Sequence, residues 1–200
     1  KDIPTSNVII VDDSYSMQYS ENHESFFISA KTAAKEIVNN LTKNDDAAVI
    51  VCSSLGSQAL PELDYDKKNL LNFIEQAQPS FATTHITPAL DAAVEVLTSA
   101  KASIKRIFLL TDLTRNGWDT DWFKSGNEKL RSHVSNIHII DLSEGRELKN
   151  TAITHIEPHI NVSERSAEST IKVTVSNFTP TRIKNLLAQV FLDQKKVAQG

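Results

Sequence analysis

Two hundred residues, 40% of them hydrophobic, with a formal net charge of −4, describe a soluble globular chain with room for one α/β domain and a remainder. The charge balance holds no basic excess of the kind that nucleic-acid binding needs, and no acidic block long enough for a disordered tail. The apolar runs are strand-sized, no leader is evident and the first residue is lysine, so the chain reads as an excerpt whose membrane anchor, if any, lies outside it.

Asn7 to Val11 is a continuous β-branched run, the pattern of a strand buried on both faces of a parallel sheet. Phe27, Ala30, Ala34, Ile37, Val38 and Leu41 follow at helical spacing. Ala47 to Cys52 repeats the strand pattern, and Ser57 to Leu63 predicts a short antiparallel edge strand. Asp66 to Gln78 predicts a second helix, with Leu70, Leu71, Phe73, Ile74 and Ala77 turned inward. A third helix opens at Thr87-Pro88, read as a cap followed by proline at the first helical position, and runs through Leu90, Ala93, Val94 and Leu97. Ile107 to Leu110 and Ile137 to Ile140 are two more strands buried on both faces, separated by a helix over Asp121 to Ser132 with Trp122 and Leu130 inward. Strands alternating with helices imply right-handed crossovers and an open, mostly parallel, doubly wound Rossmann-like sheet over residues 1–142.

After Leu142 the pattern changes. Residues 143–150 read as a linker, and Thr151 to Ile156, Thr170 to Val175 and Leu187 to Leu192 as strands without helices, with turns at Asn177 to Pro180 and Asp193 to Lys195. Three or four strands do not close a sandwich, so the module at 151–200 is expected to be truncated or to lean on the first.

The chemistry concentrates in Val11-Asp12-Asp13-Ser14-Tyr15-Ser16-Met17, which follows the first strand. Ligands of open α/β sheets gather at the carboxyl ends of the strands. The strand at Ile107 to Leu110 ends likewise, in Thr111-Asp112, and Thr83-Thr84 stands in the loop before the third helix. If the two strands are neighbours, both acidic tips face one crevice. Carboxylates and hydroxyls without histidine or thiolate make a hard-oxygen set suited to Mg²⁺ or Mn²⁺, ions that keep several waters.

Asp12-x-Ser14-x-Ser16, Thr84-x-Ile86-x-x-Ala89-Leu90 and Leu109-Leu110-Thr111-Asp112 together resemble the metal-ion-dependent adhesion site of von Willebrand factor A domains. The resemblance implies a non-catalytic protein-binding domain. Its Mg²⁺ (or Mn²⁺) would be held by Asp12, Ser14, Ser16, Thr84 and Asp112 and completed by an Asp or Glu carboxylate of another protein. Two positions depart from the family pattern. Ala82-Thr83 stands where a glycine usually precedes the threonine, which leaves a choice between Thr83 and Thr84 open, with the spacing to Ile86 and Leu90 favouring Thr84. Leu113 stands where glycine commonly follows the aspartate. Asn150 to Ile153 and Val173 to Asn177 resemble an adhesion-related immunoglobulin-like (CARDB-like) module of bacterial surface proteins. The whole resembles membrane-anchored bacterial proteins of the Bat (aerotolerance) type, which implies a periplasmic or cell-envelope location, with the tethering segments outside this chain.

Taken singly, these residues are ordinary. Asp and Ser favour turns and caps, and a threonine before a helix is more often a cap than a ligand. Asp13 reads as solvent-facing or as a brace for the loop, His85 as an idle loop residue, His155 and His159 as surface residues, His138 as packed, and Trp118 and Trp122 as core or crevice rim. A receiver domain also begins with paired aspartates, but Cys52-Ser53-Ser54 offers no acceptor carboxylate after the second strand. The glycines are too dispersed for a nucleotide fingerprint, and no glycines flank Ser14 or Ser16 as a nucleophile elbow requires. The single cysteine, Cys52, excludes an internal disulfide. A metal-dependent phosphoester hydrolase and a metal-free spacer remain as alternatives.

Overall fold

The structure, a computed structural model, describes all residues except 1–2, 22–23, 56–59, 115–116, 125–127, 145–150, 164–165, 178–181, 188 and 200. The elements are β1 (Thr5–Val11), β2 (Ser20–Glu21), β3 (Glu24–Ser25), α1 (Phe26–Asn40), β4 (Asp46–Val51), α2 (Lys67–Gln76), α3 (Ile86–Thr98), β5 (Ile104–Thr111), α4 (Thr120–Lys124), α5 (Glu128–His133), β6 (Asn136–Asp141), β7 (Thr151–Ser163), β8 (Ser166–Asn177), β9 (Gln189–Leu192) and β10 (Lys195–Gln199). The chain divides into two compact units, Lys1–Gly145 and Arg146–Gly200.

In the first unit a parallel sheet runs in the order β4-β1-β5-β6, with helices on both faces. Alternation along the strands sorts the core. Val8, Ile10, Ile107 and Leu109 pack with Ile86, Ala89, Leu90, Ala93 and Leu97 of α3, so Ile9 and Val11 point to the opposite face, where α1 and α2 lie. Helix α1 starts because the Ser25 side chain accepts from the Ile28 N–H, and it buries Phe27, Ala30, Ala34 and Val38 along one stripe. Asp66 caps α2 through the Lys68 N–H at 2.8 Å. Lys31 ties the two helices by donating to the Glu75 carbonyl at 2.6 Å.

Several expectations change. Helix α3 begins one residue before Thr87, so Thr87 lies inside the first turn, where its hydroxyl accepts from the Asp119 N–H at 3.1 Å. The helix expected over Asp121 to Ser132 is two short helices, α4 and α5, with residues 125–127 between them outside the described residues. Trp122 anchors α4 to α3 through Asp91 at 3.0 Å, and Trp118, Trp122 and Leu130 pack against the core. The edge strand expected at Ser57 to Leu63 is reduced, among the described residues, to one antiparallel bridge between Ala47 and Asp64, and residues 57–59 lie outside them.

Strand β6 departs most. It was expected to be buried on both faces, but Ile137, His138 and Ile139 are exposed. It pairs with β5 alone among the described residues, and α3 packs chiefly over β1 and β4. His138 accordingly stacks on Phe108 at the surface, ring centroids 4.9 Å apart.

In the second unit β7 and β8 form one antiparallel ribbon, longer than the sequence pattern indicates, with a bulge between Ile153 and His155. Its register sets Ile153 and Ile156 opposite Val175 and Val173, and Glu157 opposite Lys172. The β9–β10 hairpin turns at Asp193 and Gln194, both at positive φ, as two-residue hairpin turns require. The expected linker at 143–150 and turn at Asn177 to Pro180 fall mostly outside the described residues, as does residue 188 of the expected strand at Leu187 to Leu192.

Leu109 and Ile139 are register partners on one face, yet Leu109 is fully buried and Ile139 is half exposed. Leu109→Ala is expected to lower unfolding free energy by about 2–5 kcal/mol, and Ile139→Ala by less than about 1 kcal/mol. Urea denaturation of the two variants measures the difference, and equal losses would contradict the exposure of this face of β6.

Candidate metal centre

The centre is built where β1 meets β5. Their parallel register aligns Val11 with Leu110, and the Asp12 N–H extends the ladder to the Leu110 carbonyl at 3.0 Å. The Thr111 hydroxyl donates to Asp12 Oδ2 at 2.7 Å, and the Ser14 N–H donates to Asp12 Oδ1 at 3.0 Å. Both oxygens of a fully buried carboxylate are therefore aimed. The Ser14 and Ser16 hydroxyls lie 3.2 Å apart, so the two hydroxyl oxygens converge.

Asp13, which the sequence leaves between solvent and a bracing role, is a brace. It is buried, and its carboxylate accepts from both the N–H and the hydroxyl of Ser53 at the end of β4, the first at 2.9 Å. Its carbonyl accepts from the Ser80 N–H at 2.7 Å, and the Tyr15 N–H donates to the Ala82 carbonyl at 3.1 Å. Gln18 adds a bond to the Ser80 carbonyl at 3.0 Å. These bonds hold the loop after β1 against the loop that leads to α3.

That second loop contains both candidate threonines. Thr83 is exposed, with its hydroxyl 3.4 Å from His85 Nε2, whereas Thr84 is buried. Gly117 packs on Thr84 so closely that a Cβ there would lie 2.5 Å from the Thr84 carbonyl oxygen, and its φ of +91° is itself unsuited to other residues.

Asp112 closes the site. Its Oδ1 accepts from the Thr114 N–H at 3.2 Å, while its Oδ2 is buried without a partner among the described residues. Leu113, next in the chain, takes φ 55°, a conformation that costs a non-glycine residue about 1–2 kcal/mol. Burial raises the Asp12 pKa above its ordinary value. Hydrogen bonds from Ser14 and Thr111 oppose the rise, and the Asp112 charge adds to it. Burial, reinforced by Asp12 and Asp13, likewise pushes the neighbouring Cys52 thiol well up, which leaves it a packing residue.

Two buried acids that repel each other, one with an orphan oxygen, fit a small hard cation. Among the described residues no three His, Cys, Asp or Glu side chains are placed to hold a metal ion together, so any further donor to an ion at this centre would have to be a hydroxyl or a water. His155 and His159 stay on the exposed ribbon, His159 within 3.5 Å of Glu157. The sequence reading missed Thr111, Ser53 and Gly117 as supports. Thr111 was recoverable, because β1–β5 pairing sets it beside Asp12. Ser53 and Gly117 carry no local signal, since their partners lie 40 and 33 positions away.

The class defined so far is a parallel α/β domain with acid and hydroxyl side chains gathered at the carboxyl ends of two adjacent strands. The von Willebrand factor type A domain matches residues 7–115, more than half of the chain, and the chain belongs to that family. Among solved structures, it is similar to a von Willebrand factor type A protein from Catenulispora acidiphila, at 20% identity and a TM-score of 0.53, over 71% of this chain and 36% of that one. It also resembles the vWF domain of the type V pili tip protein Mfa5 from Porphyromonas gingivalis, at 21% identity and a TM-score of 0.44, over 55% of this chain and 38% of that one. A mutant of the PilB minor pilin from Streptococcus sanguinis matches at 16% identity and a TM-score of 0.47, over 56% of this chain and 30% of that one. The chain thus spans well under half the length of these solved proteins. No curated protein sequence matches it.

Gly117→Ala is expected to cost roughly 1–3 kcal/mol through the clash with Thr84 and the backbone strain, measured by thermal or urea unfolding. For Asp12 the pKa is raised on folding, so below the unfolded value of 3.8 both states are protonated and the group contributes nothing. As pH rises through the folded pKa the metal-free fold loses stability. Asp12→Asn is therefore expected to melt higher than the parent at neutral pH without metal, with the gap closing as pH falls toward that unfolded value. A gap independent of pH would refute the assignment.

Proposed function

We propose that this chain is a non-catalytic, metal-dependent protein-binding domain. Mg²⁺ or Mn²⁺ would be held by the hydroxyls of Ser14, Ser16 and Thr84 and by Asp12 and Asp112, directly or through water. The observation that carries the reading is the buried, unpartnered Oδ2 of Asp112 beside a second buried carboxylate, Asp12. Bound there, the ion supplies a Lewis-acidic position for a carboxylate oxygen from an Asp or Glu of a partner. The chain's own residues do the remaining work. Thr111 and the Ser14 N–H orient Asp12, Asp13 clamps the loop to Ser53, and Gly117 supports Thr84.

The wider setting belongs to the same proposal. The domain serves in a membrane-anchored bacterial assembly of the Bat type at the cell envelope, carried by segments outside this chain, and the β-rich second unit is the start of an immunoglobulin-like module. No helix among the described residues is long and apolar enough to cross a membrane.

Titration of the 200-residue protein with Mg²⁺ and Mn²⁺ tests the site. At an ion concentration of ~100 times Kd, stabilisation of about 2.7 kcal/mol is expected, a rise of roughly 5–10 °C in Tm. The Asp12→Ala, Ser14→Ala double variant is expected to show none. Absence of any metal response in the parent would favour a metal-free spacer. Metal-dependent turnover of a generic phosphoester by the parent, lost in the double variant, would favour a hydrolase.

A further inference from the structure

Each of the three segments that supply candidate ligands also carries one bulky apolar side chain left outside the core. Tyr15, between Ser14 and Ser16, is 64% exposed; Phe81, ahead of Thr84, is 85% exposed; Leu113, directly after Asp112, is 41% exposed. Hydration of such side chains is unfavourable in proportion to their area, and a cluster of them marks a surface that something covers. Two of the three are held together. The Tyr15 and Phe81 rings lie in tilted contact with centroids 6.2 Å apart, and the bond from the Tyr15 N–H to the Ala82 carbonyl fixes their loops together. Leu113 keeps a bulky side chain in a backbone conformation that glycine would adopt without strain.

We propose that Tyr15, Phe81 and Leu113 form an apolar collar around the ion position, and that the collar selects a polypeptide segment whose acidic side chain is flanked by bulky apolar residues. This inference rests on the metal-and-carboxylate reading above and names the partner class for that site. Charge separates such a segment from a polyacidic one. Asp12, Asp13 and Asp112 are all buried at this end of the sheet, and one divalent ion offsets two of the three negative charges. A second acid from the partner would meet net repulsion, whereas apolar flanks meet the two rings and the leucine. A small free carboxylate would satisfy the ion and leave the collar wet.

The test is selection from a displayed library of short random peptides with a fixed central glutamate on the Mg²⁺-loaded 200-residue protein, eluted with EDTA. The expected pool is rich in Phe, Tyr, Leu and Ile beside the glutamate. A selected peptide is expected to lose on the order of tenfold in affinity for Phe81→Ser, and all measurable affinity when its Glu is replaced by Gln. Mn²⁺ affinity of Phe81→Ser, read by calorimetry, is expected to match the parent, which separates loss of the collar from loss of the ion. An EDTA-releasable pool with random or polar flanks would overturn the collar and leave the metal reading standing. Retention of apolar peptides regardless of EDTA and of the glutamate would overturn both, as would the absence of any releasable pool.

Discussion

The parallel pairing of β1 with β5 decides where two acidic side chains meet. Each strand is a short apolar run that ends in an aspartate, and neither end is unusual alone. Once Val11 lies opposite Leu110, the ladder carries on to Asp12, Thr111 comes within 2.7 Å of its carboxylate, and Asp112 follows one residue later. The apolar strands are buried by helices on both faces, so the tips they present are held by the core rather than by the loops themselves. A one-residue slip in that register would move Thr111 away from Asp12 and turn the aligned side chains to the wrong face.

The surrounding loops add a second layer of constraint. Asp13 is bound to Ser53 on the far side of β1, while Tyr15 and Gln18 are bound to the loop before α3, so the loop after β1 is tied on both sides. Gly117 lies against the Thr84 backbone, where a methyl group would not fit. The result is a rigid cradle for groups that do not stabilise the metal-free fold. Burial disfavours the Asp12 charge, Asp112 has an orphan oxygen, and Leu113 is strained. Local conflicts of this kind gather at sites that serve a ligand. The same loops expose the Tyr15 and Phe81 rings.

Much of the fold was legible because burial on both faces writes itself into composition. Val8 to Val11 and Ile107 to Leu110 carry little polar content and lie at the middle of the sheet, and Ala47 to Val51, at one edge, is just as apolar and is buried. The Ile137 to Ile140 run has the same look, yet β6 is an edge strand with exposed isoleucines. Composition reports how apolar a strand is, and not whether a helix reaches over it. The long ribbon of β7 and β8 was read as shorter strands because Glu157, Pro158 and Ser166 to Ser169 interrupt the apolar alternation, whereas the pairing of the two strands carries through them.

The sequence by itself determined the alternation of strands and helices, the acid-and-hydroxyl loop after β1, and the recurrence of an aspartate after β5. Those features rest on local periodicity and on residue chemistry. Only the tertiary structure decided that Thr111 aims Asp12, that Asp13 is a brace, that Thr84 is buried while Thr83 is not, and that Gly117 makes room for Thr84. Each of these depends on contacts between segments far apart in the chain. Such contacts are set by strand register and helix packing, and local sequence periodicity does not encode them.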